Sequence, residues 1–364
     1  MGEKRNILLY PLSLLYGMIT GIRNFLYDKE VLDSKEFDLP VICVGNITVG
    51  GTGKTPHTEY LVSLLIRNNF RVATLSRGYK RKTRDFRIAT QVSGVNDIGD
   101  EPLQIFRKFP GITVAVDRKR VNGITKILEN DPGTDVIILD DGFQHRKIRP
   151  GVSILLTDFE RLIVNDHMLP YGNLRESAFN MHRADIILVT KSPGDLSPIQ
   201  RRLIVKEMDK APYQNLYFTT IVYKDPIPVF EEVKDVPPPL TVESGDCSIV
   251  LVTGIANPDP LKKYLDDKCR NITHMNYADH HNYTEADLKG IINAWSSLKS
   301  PVKYIITTEK DAVRFREFSN IAESLKTAFY YIPVGIDFLN DDRKEFDNLI
   351  IDYVRKNKRN NRVS

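Results

Sequence analysis

Residues 41–56 of this 364-residue chain read VICVGNITVGGTGKTP. An apolar run, Val41–Val44, leads into a glycine-rich turn that ends in Gly53-Lys54-Thr55, and a helix-compatible stretch follows at 57–66. Successive glycines let backbone N–H groups turn toward one anion, while a lysine adds positive charge and a threonine hydroxyl can meet Mg²⁺. A strand, such a turn and a helix in this order predict a phosphate-binding loop for a nucleotide.

The segment departs from the strict phosphate-loop pattern at one position. That pattern has a glycine five residues before Gly53, where this chain has Thr48. A flexible glycine loop between a strand and a helix is the alternative interpretation. The order of strand, Gly50-Gly51, Gly53-Lys54-Thr55 and helix favours the nucleotide site.

The composition is that of an ordinary soluble α/β protein, with 41% hydrophobic and 27% charged residues. At 364 residues the chain is longer than a single core usually supports, so two domains are expected. The net charge of +4 is too small to indicate nucleic-acid binding, and none is expected. The three cysteines are scattered without CxxC spacing, which indicates a reducing compartment and no zinc site.

Apolar β-rich runs alternate with helical patterns along most of the chain. This alternation predicts two doubly wound α/β/α domains, the first of the P-loop NTPase type. Near residue 217 the pattern changes to alternating residues, and Val236-Pro237-Pro238-Pro239 then interrupts any regular structure. We therefore expect a first domain over 1–215, an extended β linker over 216–245, a smaller α/β domain over 246–338 and a C-terminal helix with a basic tail over 339–364.

The segment 7–22 is uncharged but too short for a membrane-spanning helix, and it is interrupted by Pro11, Gly17 and Gly21. It lacks a small-residue cleavage site, so a secretory signal is not expected. Apolar residues fall on one helical face: Leu12, Leu15, Tyr16, Ile19, Ile22 and Leu26. Two interpretations stay open, a helix packed on its own domain or an amphipathic helix resting on anionic lipid.

Two pairs of carboxylates are candidate site residues. The apolar run at 136–139 ends in Asp140-Asp141, where the second strand of a phosphate-loop enzyme delivers an acid to the Mg²⁺ environment. A solvated Asp-Asp-Gly turn is the alternative. Asp100-Glu101 lies at a loop-to-helix junction and, taken alone, is typical of a helix N-cap.

Histidines and basic runs complete the chemically active candidates. His280 and His281 lie just beyond a strand of the second domain, where one of them could act as a base or as the partner of an acid. Basic segments lie at 77–82, 118–120 and Arg175. Most charge runs are solvated faces, but a transferring phosphoryl group needs cations nearby.

In order along nearly the whole chain, the motifs resemble those of the tetraacyldisaccharide 4′-kinases, which phosphorylate the lipid A precursor at the inner membrane of Gram-negative bacteria. These motifs are VGNITVGGTGKTP, LSRGYKRK, GDEP, LDDGFQH, LPYGNLRE, VTKSP, VTGIANP, YADHHNY and TTEKDAVRF. The threonine variant of the phosphate loop belongs to that family, so Thr48 supports the resemblance.

The resemblance implies a set of roles for individual residues. The ATP-binding residues would be Thr48, Val49, Gly50, Gly51, Thr52, Gly53, Lys54 and Thr55. The candidates for the Mg²⁺ environment would be Thr55, Asp140, Asp141, Glu101 and Glu176. Asp100 and His280 would form a dyad that prepares the sugar hydroxyl, with Lys54 and Arg120 stabilising phosphate charge. Because Asp100 and His280 lie on different domains, catalysis would require the domains to close.

The resemblance also implies partners and a location. The acceptor would be an acylated disaccharide lipid, and the protein a monomeric peripheral enzyme on the cytoplasmic face of the inner membrane. Two alternatives are a P-loop GTPase or ATPase of the metallochaperone type and a non-catalytic, nucleotide-switched peripheral membrane protein. A guanine site usually carries an Asn-Lys-x-Asp segment, and residues 189–192 (VTKS) echo it only in part.

Overall fold

A computed structural model of the chain describes residues 6–230, 247–318 and 320–360. Within these residues the strands form one nine-stranded and one five-stranded sheet. The strands of the large sheet are β1 (Val41–Gly45), β2 (Val72–Ser76), β3 (Arg87–Ile88), β4 (Thr113–Val116), β5 (Val136–Asp140), β6 (Val152–Asp158), β7 (Ile186–Thr190), β8 (Asn215–Tyr223) and β14 (Val334–Phe338). Those of the small sheet are β9 (Ile227–Pro228), β10 (Ser248–Thr253), β11 (Asn271–Asn276), β12 (Lys303–Thr308) and β13 (Phe329–Ile332).

Helices connect most of these strands and cover both faces of the large sheet. They are α1 (Tyr10–Asp28), α2 (Lys54–Arg67), α3 (Val95–Ile98), α4 (Asp100–Lys108), α5 (Arg120–Asn130), α6 (Pro198–Met208), α7 (Asp259–Asp266), α8 (Glu285–Ser296), α9 (Glu309–Phe315), α10 (Glu323–Lys326) and α11 (Asp342–Asn360).

The large sheet has the order β14-β8-β7-β6-β1-β5-β2-β4-β3 and is parallel except at its edges, where β3 and β14 are antiparallel to their neighbours. The small sheet has the order β11-β10-β12-β13-β9. Successive side chains of β1 enter opposite cores, with Ile42 and Val44 in one and Val41 and Cys43 in the other. The predicted α/β class, with a large doubly wound sheet of the P-loop type, is confirmed.

Two segments lie in the large sheet although the sequence placed them elsewhere. The sequence predicts that the linker begins at residue 216, but residues 216–223 belong to β8 (Asn215–Tyr223), which pairs with β7. Residues 334–338 were expected in the smaller domain, but as β14 they pair with β8, and α11 packs on the same core through Phe346 and Ile350. Hydrogen bonding to an unpaired sheet edge explains both differences. Residues 231–245 of the expected linker, which include its proline-rich segment, lie outside the described residues.

The two units meet through α4 and α9. The Arg107 guanidinium donates to the carbonyl of Val313 at 3.3 Å. Lys108 lies 2.6 Å from Glu59 on α2 and 2.9 Å from Glu309 at the start of α9. These contacts hold the last turn of α4 against the small-sheet unit, and Asp100 lies at the other end of the same helix.

Helix α1 has an inverted distribution of polarity. Its buried residues are Ser13, Asn24 and Tyr27, whereas apolar side chains such as Leu15 and Ile19 are 51% and 59% exposed. Ser13 donates to the carbonyl of Met168 at 2.7 Å, so the small and polar face is the one that packs on the protein. Among the described residues, no helix is long and apolar enough to span a membrane.

Candidate active site

The glycine-rich loop connects β1 to the first turn of α2. Gly53 is the N-cap of α2 at φ 83°, and Gly50 has φ 101°, conformations that residues with a Cβ rarely adopt. The Asn46 amide donates to the Thr52 hydroxyl at 2.9 Å, and the Thr190 hydroxyl donates to the Thr52 carbonyl at 2.9 Å. The loop is therefore preformed around the N-terminus of a helix, where backbone N–H groups favour an anion.

The two ends of the loop are also fastened to the surrounding structure. Thr48 is buried and bridges to Leu174, and the neighbouring Val49 N–H donates to the Asn173 carbonyl at 2.8 Å. Thr48 is therefore buried where the loop pairs with residues 173–174.

His57 fastens the start of α2 from inside the protein. Its Nδ1 lies 2.7 Å from the Gly53 carbonyl and its Nε2 lies 2.9 Å from the Thr219 hydroxyl. A carbonyl only accepts, so Nδ1 carries the proton and Nε2 accepts from Thr219. Burial lowers the pKa of His57 to about 4, which keeps the ring neutral at neutral pH.

The Asp-Asp pair lies at the carboxyl end of β5, facing the loop. Lys54 Nζ lies 3.6 Å from Asp141 Oδ1, and Asp141 has φ 51°. Asp140 is buried, and its Oδ1 accepts from the Thr58 hydroxyl at 3.0 Å. Burial and the neighbouring Asp141 raise the pKa of Asp140, although Lys54 opposes them. Asp140 is therefore buried in the site, whereas Asp141 lies in the turn that follows β5 with 42% of its side chain exposed.

Glu101 and Arg120 bring opposite charges to the same region. Burial and Asp140 raise the pKa of Glu101 to about 7. Arg120 is 2% exposed, and its Nη1 donates to the Asp117 carbonyl at 2.5 Å, while Nε and Nη2 have no partner among the described residues. Burial lowers the pKa of Arg120 to about 10, against the opposing effect of Asp141. A buried guanidinium with open donors fits an anionic ligand.

Glu176 is held through one of its two carboxylate oxygens, Oε2. Its carboxylate pairs with Arg183 and accepts from the Asn24 amide of α1 at 3.2 Å. Among the described residues, no group of three or more His, Cys, Asp or Glu side chains forms a ready metal site. The Mg²⁺ environment expected from the sequence therefore stays a prediction, and the buried Oε1 of Glu176 has no hydrogen-bond partner among the described residues.

Asp100 and His280 meet across the two units. His280 Nδ1 lies 2.6 Å from Asp100 Oδ2, and His280 has φ 58°. Asp100 is not the N-cap of α4, because Gly99 occupies that position at φ 94°, where a Cβ would lie 3.0 Å from the Tyr79 carbonyl. The N-cap interpretation of Asp100 is therefore wrong. His281 instead lies 3.1 Å from Asp287.

The charge state of Asp100 follows from these neighbours. Burial alone would raise the pKa of Asp100, but the hydrogen bond from His280 and the cations Lys310 and Arg314 outweigh it and hold the pKa well below its usual range. The carboxyl is thus ionised throughout the neutral range.

Three neighbours of the dyad were not singled out from the sequence. Arg314 Nη2 lies 3.2 Å from Asp100 Oδ2, and Lys310 Nζ lies 2.8 Å from Asp279, the residue before His280. The Tyr79 ring meets the His280 ring edge-on at 5.1 Å between centroids. Their signal was present in the motifs LSRGYKRK and TTEKDAVRF, to which no individual roles were assigned.

Sequence comparison identifies the family to which this site belongs. The model of the family described as Tetraacyldisaccharide-1-P 4'-kinase matches residues 5–355. The chain belongs to the tetraacyldisaccharide 4′-kinase family. This membership confirms the resemblance found in the motifs and the prediction of an enzyme of this kind, rather than the metallochaperone or non-catalytic alternatives.

Individual members of the tetraacyldisaccharide 4′-kinase family are similar over their whole length. A protein of that name from Bacteroides thetaiotaomicron is 45% identical, covering 98% of this chain and 95% of the relative. One from Phocaeicola vulgatus is 46% identical over 99% and 98%. The solved structure of the apo form of LpxK from Aquifex aeolicus in complex with ATP is 26% identical, with a TM-score of 0.71 over 95% of this chain and 98% of that one.

Proposed function

We propose that this protein transfers the γ-phosphate of ATP to the 4′-hydroxyl of a tetraacyldisaccharide 1-phosphate at a membrane surface. The observation that carries the proposal is the 2.6 Å contact between Asp100 and His280 beside the phosphate loop. Glu101 links the two regions, because the charges that act on its carboxyl include both Lys54 of the loop and Lys310 beside the dyad. Glu101, next to Asp100 in the chain, therefore relates the proton acceptor to the nucleotide site.

The Asp100–His280 dyad would supply the base that a sugar hydroxyl needs in order to act as a nucleophile. A hydroxyl is a poor nucleophile with a very high pKa, so a base that accepts its proton late in the transfer is sufficient. The hydroxyl oxygen forms a bond to the γ-phosphorus, the bond to the ADP oxygen breaks, and the proton passes to the Asp100–His280 pair. Lys54 and the open donors of Arg120 stabilise the phosphate charge that develops.

ATP would lie on Thr48–Thr55, with its phosphates at the N-terminus of α2. The oxygen donors around that position fit Mg²⁺, which prefers carboxylate and hydroxyl oxygens and retains waters and phosphates as its other ligands. Thr55, Asp140, Asp141 and Glu101 would hold the ion, whereas Glu176 is tied to Arg183. Bound there, Mg²⁺ would neutralise charge on the β- and γ-oxygens.

The inverted helix α1 supports a peripheral position on a membrane. Its apolar residues face solvent while its polar face packs on the protein, so burying the apolar face requires a partner such as lipid. Arg23 near its end would meet lipid phosphates. Because an acylated disaccharide is held in a bilayer by its acyl chains, we place the enzyme on the cytoplasmic face of the inner membrane, as a monomer.

Transfer of labelled phosphate from ATP to purified tetraacyldisaccharide 1-phosphate tests the function directly. We expect a product that requires both the acceptor and ATP, is lost on removal of Mg²⁺, and is made poorly with GTP. A strong preference for GTP, or nucleotide hydrolysis with no labelled lipid, would contradict the proposal. Mass spectrometry of the product locates the phosphate on the 4′-position.

A further inference from the structure

Arg314 on α9 reaches from the small-sheet unit to Asp100 at the start of α4 in the large-sheet unit. Its side chain is 7% exposed. The guanidinium makes two contacts, one to Asp100 Oδ2 at 3.2 Å through Nη2 and one to the Asn282 side-chain oxygen through Nη1. Asn282 belongs to the same loop as His280. One planar cation therefore touches the carboxylate of the dyad and the loop that carries the imidazole.

We propose that Arg314 is the positioning residue of the dyad, which sets Asp100 and the His280 loop in a fixed mutual orientation. The inference rests on the proposed function of the Asp100–His280 pair. Arg314 is not placed on the substrate, because its two contacts are with protein groups on either side of the interface.

The need for such a residue follows from the loop geometry. His280 has a left-handed backbone, φ 58°, in a segment between β11 and α8 without regular structure. The hydrogen bond to Asp100 and the edge-on contact with Tyr79 hold the imidazole, but neither contact holds the loop at Asn282. The fork of a guanidinium is rigid and offers two donors at a fixed angle, so bonds to Asp100 and Asn282 together tie the loop to the carboxylate of the dyad.

Arg314 can impose this orientation because its own helix is held independently of the dyad. Glu309, at the start of α9, pairs with Lys108 at 2.9 Å, and the Val313 carbonyl accepts from Arg107 at 3.3 Å. Both partners lie on α4, the helix that begins with Asp100. The distance between the Arg314 backbone and Asp100 is therefore set by the packing of α4 against α9 and not by the conformation of the His280 loop.

Substitutions of Arg314 distinguish a role in positioning the dyad from a role in the stability of the protein. We expect Arg314→Gln to lower kcat for acceptor phosphorylation by roughly 10- to 100-fold, the scale of a small misplacement of catalytic groups, with KM for ATP within about twofold of wild type. Arg314→Lys restores the charge without the fork and should recover only part of the loss. The matched control is Arg316→Gln, since Arg316 donates to the Val229 carbonyl of its own unit at 2.5 Å and should keep kcat.

Chemical rescue gives a measurement that a purely structural role would not move. Guanidinium at millimolar concentration should raise kcat of Arg314→Ala severalfold while leaving the wild type and Arg316→Gln unchanged. In an Asp100→Asn background, Arg314→Gln should cost little more, because the residue it positions is already disabled.

The outcomes distinguish this inference from the proposed function. Full activity of both Asp100→Asn and His280→Ala would overturn the role of the dyad, and with it the inference. If those two variants are inactive while Arg314→Gln keeps kcat within twofold, only the inference fails. A loss in Arg314→Ala that guanidinium does not restore, accompanied by a lowered melting temperature, would also overturn it, since that pattern belongs to a structural residue.

Discussion

His280 Nδ1 lies 2.6 Å from Asp100 Oδ2, although the two residues are 180 positions apart and lie in different units of the fold. Asp100 begins α4 beside the large sheet, and His280 follows the last residues of β11 in the small sheet. The contact is already present in this structure, in which α4 and α9 pack together. The closure that the sequence led us to expect would therefore tighten an existing contact around substrate.

The phosphate loop is tested by removing its lysine. Lys54→Ala should cut turnover by roughly a hundredfold or more, since groups that stabilise transferred charge typically contribute ~3–4 kcal/mol. Steady-state phosphorylation of the acceptor is the measurement, and Lys35→Ala on the exposed surface is the control. Activity within a few fold of wild type would mean that the loop does not hold the transferred phosphate.

The dyad makes a prediction about non-additive losses. Asp100→Ala should depress kcat far more than it raises KM for ATP, because the residue acts on the hydroxyl and not on nucleotide binding. His280→Ala should behave similarly, and the double variant should cost little more than the worse single one. His281→Ala is the matched control, since His281 lies against Asp287 instead. Fully additive losses would show that Asp100 and His280 act independently.

Membrane binding is predicted to depend on the exposed face of α1. Replacing Leu15 and Ile19 together by Glu should release the protein from anionic liposomes and weaken activity on bilayer substrate, with ATP affinity unchanged. Cosedimentation with vesicles is the measurement. The matched control places Glu at Ile199 and Leu203 of α6, which are similarly exposed at 71% and 60%. If the α1 variant unfolds while the remaining folded protein still binds vesicles, α1 is a core helix.

The interface carboxylate Glu59 predicts a pH dependence of stability. Burial, with Glu309 nearby, raises the pKa of Glu59 from 4.5 to about 7, despite the contact with Lys108. Because the folded state then binds a proton that the unfolded state has released, this group makes the free energy of unfolding fall as pH rises from 4.5 to 7, by on the order of 1–3 kcal/mol.

Glu59→Gln tests that dependence, since the amide cannot titrate and can still accept from Gln104. Denaturant unfolding at several pH values between 4.5 and 7 should give a flatter profile for the variant than for wild type. Identical slopes in the two proteins would contradict the assignment.

The sequence by itself determined the features that depend on neighbours along the chain. Glycine spacing before Lys54 predicted the phosphate loop, and β1 and α2 form on either side of it. The apolar run before Asp140 predicted a buried strand with acids at its carboxyl end, and β5 has that form. Such features can be predicted because backbone preferences and side-chain periodicity act over a few residues. The function was indicated by the resemblance of the motifs to those of a known family, and not by a physical argument from the residues alone.

Only the tertiary structure decided which distant side chains meet. The periodicity of α1 marks an apolar face, but whether that face lies on the core depends on what packs against the helix, and Ser13 and Asn24 pack there instead. The sequence gives no sign that Glu176 pairs with Arg183, a contact that only the packing of separate segments creates. Arg314 became a candidate only when α9 placed its guanidinium on Asp100. These pairings depend on how separate elements pack, and a contact between residues far apart leaves no local pattern in a single chain.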